Sequence, residues 1–187
     1  MTNETTDKKK GLSVKELTRI GLCAAIICIL GPISFPIPIS PIPVTLSIFA
    51  IYLALVVLGM KEGTISILIY ILLGAIGLPV FSGFTGGIGK VLGPTGGYII
   101  GYIPLALIGG FFITKFKRNI PLMIVGLVLG TLTCYALGTL WLMHQAGMDL
   151  GAALTAAVIP YIPFDLGKMA AAILIGLPVN KAIKRFQ

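Results

Sequence analysis

The sequence predicts an all-α integral membrane protein of six transmembrane helices with both termini cytoplasmic, and three observations carry that expectation. Of its 187 residues, 57% are hydrophobic and 11% charged, with a mean hydropathy of +1.04. Soluble domains run near 45–50% apolar and about 25% charged. The apolar residues fall into six runs joined by short glycine-rich, proline-rich or basic connections. The basic residues gather on alternate connections, as the positive-inside rule requires of cytoplasmic ones.

The first run, Leu17–Leu30, follows Lys15 and contains Arg19 near its start. No small-residue cleavage site succeeds it and five further runs do, so it reads as a helix and not as a signal peptide. Residues 1–12 read as a disordered cytoplasmic tail ahead of a single transmembrane domain that fills the chain, 1–187. "GPISFPIPISPIPV" then places Pro32, Pro36, Pro38, Pro41 and Pro43 in one segment. Proline lacks the N–H and restricts the residue before it, so this segment is expected to run extended.

The second run covers Val44–Leu58 and the third Thr64–Ile76, joined by the tight "GMKEG" turn. Both are short for a hydrocarbon layer of ~30 Å. A glycine-rich loop, Gly77–Val91, leads to the fourth run at Thr95–Ile113; the fifth is Pro121–Met143 and the sixth Ala156–Leu177. "GLPV" occurs at Gly77–Val80 and at Gly176–Val179, and both copies read as helix stops.

With both termini inside, the inner segments hold Lys8, Lys9, Lys10, Lys15, Arg19, Lys61, Lys115, Lys117, Arg118, Lys181, Lys184 and Arg185. That is twelve of the fourteen basic residues, and it leaves Lys90 as the outer cation and Lys168 inside the sixth run. The proline-rich segment, the glycine-rich loop and the stretch around Gly147–Ala153 then face outward. A net charge of +8 distributed this way reports topology and lipid contact, not nucleic-acid binding, because no basic face lies outside the bilayer. Cys23, Cys28 and Cys134 lie in apolar runs and read as packing residues, neither a disulfide framework nor a metal site.

Chemistry concentrates in "PYIPFDLGKMAAA". Asp165 and Lys168 are three residues apart, share a helix face and can pair. A charge at the bilayer centre costs about 2.5–3.5 kcal/mol on insertion scales, so the two serve either as a structural ion pair or as a polar anchor for a ligand. Pro160 and Pro163 just upstream leave backbone carbonyls unpaired, which suits a helix end lining a cavity. The crowded "GPTGGY", Gly93 to Tyr98, starts the fourth helix and, lacking side chains at Gly96 and Gly97, lets ligand atoms approach its unpaired N–H groups. Phe84, Tyr98, Trp141 and Phe164 are candidates to wall a flat ring. "GGIGKVLG" fails the phosphate-loop spacing, with Phe84 and Val91 where glycine and Ser/Thr are needed. His144 reads as solvated, no enzyme constellation appears, and an ATP site would have to come from another chain. On the first helix, Gly21/Ala25 and Ala24/Cys28 have small-xxx-small spacing, which suits close contact inside the bundle or with a partner.

"ISFPIPISPIPVTL", "GAIGLPVFSGFTGGIGKVLGPTGGYIIGY" and "PYIPFDLGKMAAA" resemble the BioY family, the biotin-specific S components of energy-coupling factor (ECF) transporters. The resemblance runs from Leu17 to Arg185. It implies a six-helix subunit that captures biotin outside the cell membrane and delivers it inward with a transmembrane coupling protein and a pair of cytoplasmic ATPases. It implies no cofactor and no metal, biotin being the cargo. Family members often dock through an Ala-xxx-Ala pattern on the first helix; here the small size is kept at Gly21, Ala24, Ala25 and Cys28 but the letters are not. Biotin's ureido group offers two N–H donors and one carbonyl, the complement of a carboxylate and an ammonium. Asp165 and Lys168 present that pair, with Gly93, Thr95, Gly96, Gly97, Tyr98, Phe84, Trp141 and Phe164 as the remaining candidate contacts. In a second pose Lys168 takes the biotin carboxylate and backbone amides take the ureido group. Two other readings stay open: a self-sufficient secondary carrier coupled to protonation of Asp165, and a membrane scaffold without a solute.

Overall fold

The computed structural model describes residues 12–37 and 40–185, the side chains of Ser40 and Pro41 excepted. Apart from Leu12, the expected disordered tail lies outside the described residues. Among the described residues eight α-helices follow one another: α1 Val14–Leu30, α2 Ser47–Leu58, α3 Met60–Ala75, α4 Ile88–Leu92, α5 Gly96–Lys115, α6 Ile120–Ala146, α7 Leu150–Ala157 and α8 Ile162–Arg185. The six expected apolar runs correspond to α1, α2, α3, α5, α6 and α8. Of these, α5, α6 and the segment Leu150–Arg185 that ends in α8 are long and apolar enough to cross a membrane. The chain is a multi-pass membrane protein.

Local chemistry sets the helix ends. Ser13 caps α1 in a reciprocal box: its hydroxyl accepts from the Glu16 N–H at 3.3 Å, and the Glu16 carboxylate accepts from the Ser13 N–H at 2.7 Å. Asn119 caps α6 and Asp149 caps α7 through backbone N–H groups three residues on. The left-handed Gly147 (φ 63°) ends α6.

Two departures from the sequence reading concern proline. The proline-rich segment is extended, as expected, but it also pairs with itself: β1 Ser34–Ile37 runs antiparallel to β2 Ser40–Thr45, with Ser34 opposite Thr45 and Phe35 opposite Val44. The second "GLPV" does not stop its helix. Pro178 lies inside α8, which continues to Arg185. Missing its N–H removes one backbone bond, and packing on α2 retains the helix: a Cβ on Gly176 would stand 2.7 Å from Val56 Cγ1, and Asn180 Nδ2 donates to the Val57 carbonyl at 2.6 Å. The first "GLPV" does follow a helix end, with Gly77 at φ +115° just past α3.

The centre of the bundle is α2. It is apolar all round, none of its residues is exposed, and α1, α3, α5 and α8 pack about it. Its last carbonyls are satisfied from other elements: Arg118, between α5 and α6, donates to Val56 and Val57, both at 3.1 Å. The bond from Asn180 joins them at Val57. α5 and α6 form the most extensive pairing, a seam of closely approached glycines, with Gly101 on Cys134, Gly130 on the Leu105 backbone and Gly138 on the Tyr98 ring. Near the "GMKEG" turn, Arg19 of α1 makes two 3.0 Å bonds to the Glu62 carboxylate of α3.

Candidate functional site

Pro160 and Pro163 end the α7 region in a single 3-10 turn, Ile159–Tyr161, from which α8 starts afresh at Ile162. That break puts Asp165 and Lys168 in the opening turns of α8 at the side of a cavity. The sixth run is therefore not one helix from Ala156: it is the end of α7, a turn and α8. The Tyr161 hydroxyl donates to the Ile42 carbonyl and ties this turn to β2.

Asp165 is only 5% exposed, and each of its oxygens has one partner. Lys168 Nζ donates to Oδ1 at 2.9 Å, and the Tyr135 hydroxyl of α6 donates to Oδ2 at 2.6 Å. A carboxylate offers about four lone-pair positions, so two remain for further donors. The ion pair is close and charge-assisted, and it sits on a cavity wall, not in solid packing.

The cavity lies between the hairpin, α2, α5, α6 and the start of α8, and leaves about 790 Å³ of unfilled space counted out to its open mouth. Apart from the ion pair, its walls are largely aromatic and aliphatic. Tyr98, Ile99 and Tyr102 project from α5 and Tyr135 from α6. Tyr70 and Phe81 meet edge-on, with ring centroids 5.5 Å apart, and close a third side with Ile48. Thr45, Ser47, Ser82 and Thr95 supply hydroxyls. An apolar cavity with a few placed polar groups is the usual form of a small-molecule site.

The structure brings together four of the expected site residues on this cavity: Asp165, Lys168, Thr95 and Tyr98. The others stand apart, and the reason is packing. Gly96 and Gly97 back onto protein: a Cβ on Gly96 would lie 1.7 Å from the Val91 carbonyl oxygen, and one on Gly97 would lie 2.3 Å from Trp141 Cβ. These glycines permit close packing at the start of α5 and do not open backbone to the cavity. Trp141 Nε1 donates to the Gly93 carbonyl at 2.9 Å, so this pair fastens α6 to the turn before α5. Phe84 is 70% exposed in the loop after α3, and Phe164 is 47% exposed on α8 beside the buried Asp165. Of the expected aromatic wall of Phe84, Tyr98, Trp141 and Phe164, Tyr98 lines this cavity, together with Tyr70, Phe81, Tyr102, Tyr135 and Tyr161. The signal for the four added tyrosines was present, since a tyrosine in an apolar run brings a hydroxyl that needs a partner.

On α1 the two small-residue pairs separate. Ala24 is 3% exposed and Cys28 packs against the core, whereas Gly21 and Ala25 face outward, with nothing within 4 Å of a Cβ on Gly21. Among the described residues, no group of three or more His, Cys, Asp or Glu side chains is placed to hold a metal ion.

Comparison with known proteins fits this geometry. The family model described as "BioY family" matches residues 2–185. A protein of Pyrococcus horikoshii named as a probable biotin transporter BioY is 40% identical over 164 residues, 88% of this chain and 95% of its own length. The biotin transporter BioY of Thermotoga maritima is 38% identical over 168 residues, 90% of this chain and 97% of its own. A crystal structure described as the S-component for biotin from an ECF-type ABC transporter superposes with a TM-score of 0.76 at 34% identity. It covers 98% of this chain and 95% of that one. These relatives are named as transporters or transporter components, not enzymes, and the chain belongs to the BioY family.

Proposed function

We propose that this chain is a biotin-binding subunit of the cell membrane, with six membrane-crossing helices and both termini cytoplasmic, that captures biotin from outside and delivers it inward. The observation that carries the reading is the buried Asp165–Lys168 pair on the wall of an aromatic cavity, in a chain of this family. The Asp165 carboxylate accepts from the ureido N–H groups and the Lys168 ammonium donates to the ureido carbonyl. Tyr135 holds the carboxylate from behind, and the tyrosine and phenylalanine walls take the fused rings. Uptake driven by ATP then requires a coupling protein and ATPases, which meet the chain on the outward Gly21–Ala25 face of α1.

The test is a binding measurement on the purified chain with no ATP and no partner. Saturable, one-to-one binding of biotin is expected in detergent and in lipid. A folded preparation that shows none overturns the reading.

A further inference from the structure

We propose that Lys90 receives an anionic end of the ligand, so that the cavity is read from both ends, by an ion pair at one and a single cation at the other. This assignment rests on the biotin reading above and adds the residue that recognises the carboxylate tail. Two cations line the cavity, Lys90 and Lys168. Lys168 is already engaged by Asp165 at 2.9 Å. Lys90 is half-buried, yet its ammonium has no ion pair and no hydrogen bond among the described residues.

The other described acids are committed elsewhere. Glu16 closes the α1 cap, Glu62 holds Arg19, and the Asp149 carboxylate accepts from the Ala152 N–H at 2.9 Å. A cation on an apolar cavity wall with no counter-charge of its own has its donors free for an anion.

The neighbouring hollows order the two cations along the cavity. Lys90, Thr95 and Ile42 also line an adjoining hollow whose other walls include Gly93 and Met148, from the connections before α5 and after α6. Asp165 and Tyr135 instead border an apolar crevice formed with Tyr52, Thr131 and Met169, from the middle of the bundle. Lys90 thus stands at the end towards the loops and the ion pair at the end towards the bundle centre. Tyr98, Ile99 and Tyr102 lie along α5 on the same cavity. A ligand with a hydrogen-bonding head, an apolar middle and a carboxylate tail satisfies both ends at once. This placement also separates the two poses open from sequence: with Lys168 held by Asp165, the carboxylate goes to Lys90.

Titration of the purified chain with biotin and with its neutral carboxamide tests the assignment. The unsubstituted protein is expected to prefer biotin by about tenfold or more, the scale of one charge-assisted hydrogen bond at a half-buried site. Lys90→Met is expected to weaken biotin by that factor and leave the carboxamide unchanged, while Lys90→Arg keeps the preference. Equal affinity of the unsubstituted protein for the two ligands overturns the Lys90 assignment while biotin binding stands, and this arm needs no variant to fold. Parallel loss of both ligands in Lys90→Met also overturns it, by making Lys90 a structural residue. Failure of the unsubstituted protein to bind biotin at all overturns the functional reading itself.

Discussion

Where α2 ends, Arg118 and Asn180 spend their donors on the carbonyls of Val56 and Val57, and Arg19 is closed on Glu62 through two bonds. Where α8 begins, Asp165 has one partner on each oxygen, and Lys90 beyond it has none among the described residues. Both ends bring charged groups into an apolar chain, but only one sets its unused hydrogen-bonding capacity on the wall of the cavity. The first arrangement locks helices together and lies off the cavity wall. The second is incomplete as it stands, and incompleteness on a cavity wall is what a binding site needs.

Exchanging the polar groups at each end should expose that contrast. Asp165→Asn removes the counter-charge of Lys168 and trades one acceptor oxygen for a donor that faces donors. Biotin affinity is expected to fall about ten- to a hundredfold by titration calorimetry. Arg118→Met should instead leave affinity unchanged in the folded protein and lower stability by about 1–3 kcal/mol, read as thermal midpoint in detergent, because the Val56 carbonyl loses its side-chain donor and Val57 keeps only Asn180. Equal affinity in a folded Asp165→Asn protein would make its ion pair a structural one.

A smaller effect is expected at the start of α5. Gly97→Val drives a branched side chain into Trp141, and overpacking of this kind costs about 1–3 kcal/mol. Yield and melting temperature should drop, with affinity in the surviving folded fraction close to normal. A fully stable Gly97→Val protein with lost affinity would return this glycine to the ligand. The smallest effect on binding, none, is expected for Ala25→Trp, whose side chain points out of the bundle. Uptake in cells that hold the coupling protein and ATPases should nevertheless be abolished, since a bulky residue prevents close helix contact. If binding and uptake fail together, Ala25 packs internally; if the chain alone accumulates biotin in liposomes, it is a self-sufficient carrier.

Much of this molecule is legible in its sequence, and the residues that are not share a physical reason. Helix positions follow from local composition, and so does the pairing of Asp165 with Lys168, which sit one turn apart. Which side of a helix faces the cavity depends on partners distant in the chain. Gly96 and Gly97 were indistinguishable from ligand contacts until Val91 and Trp141 were placed against them. Pro178 read as a stop because nothing nearby says that Gly176 and Asn180 hold α8 to α2. The hairpin escaped for the same reason, since prolines announce extended backbone but not its pairing. Tyr135 is thirty residues from the carboxylate it holds, and no spacing rule connects them.

The burial of α2 bears on the membrane itself. At 12 residues it is about 18 Å long, too short to cross a hydrocarbon layer of ~30 Å if lipid surrounded it. Lipid does not surround it, because every side is covered by other helices or half-covered at Phe49, Leu53 and Leu58. Its length therefore answers to its neighbours and not to bilayer thickness. The matching of protein to membrane falls to the longer outer helices, which can tilt or shift with the surrounding lipid. The cavity joins the start of this sheltered helix to walls from α5, α6 and α8, so movement of those outer helices against α2 would change its shape.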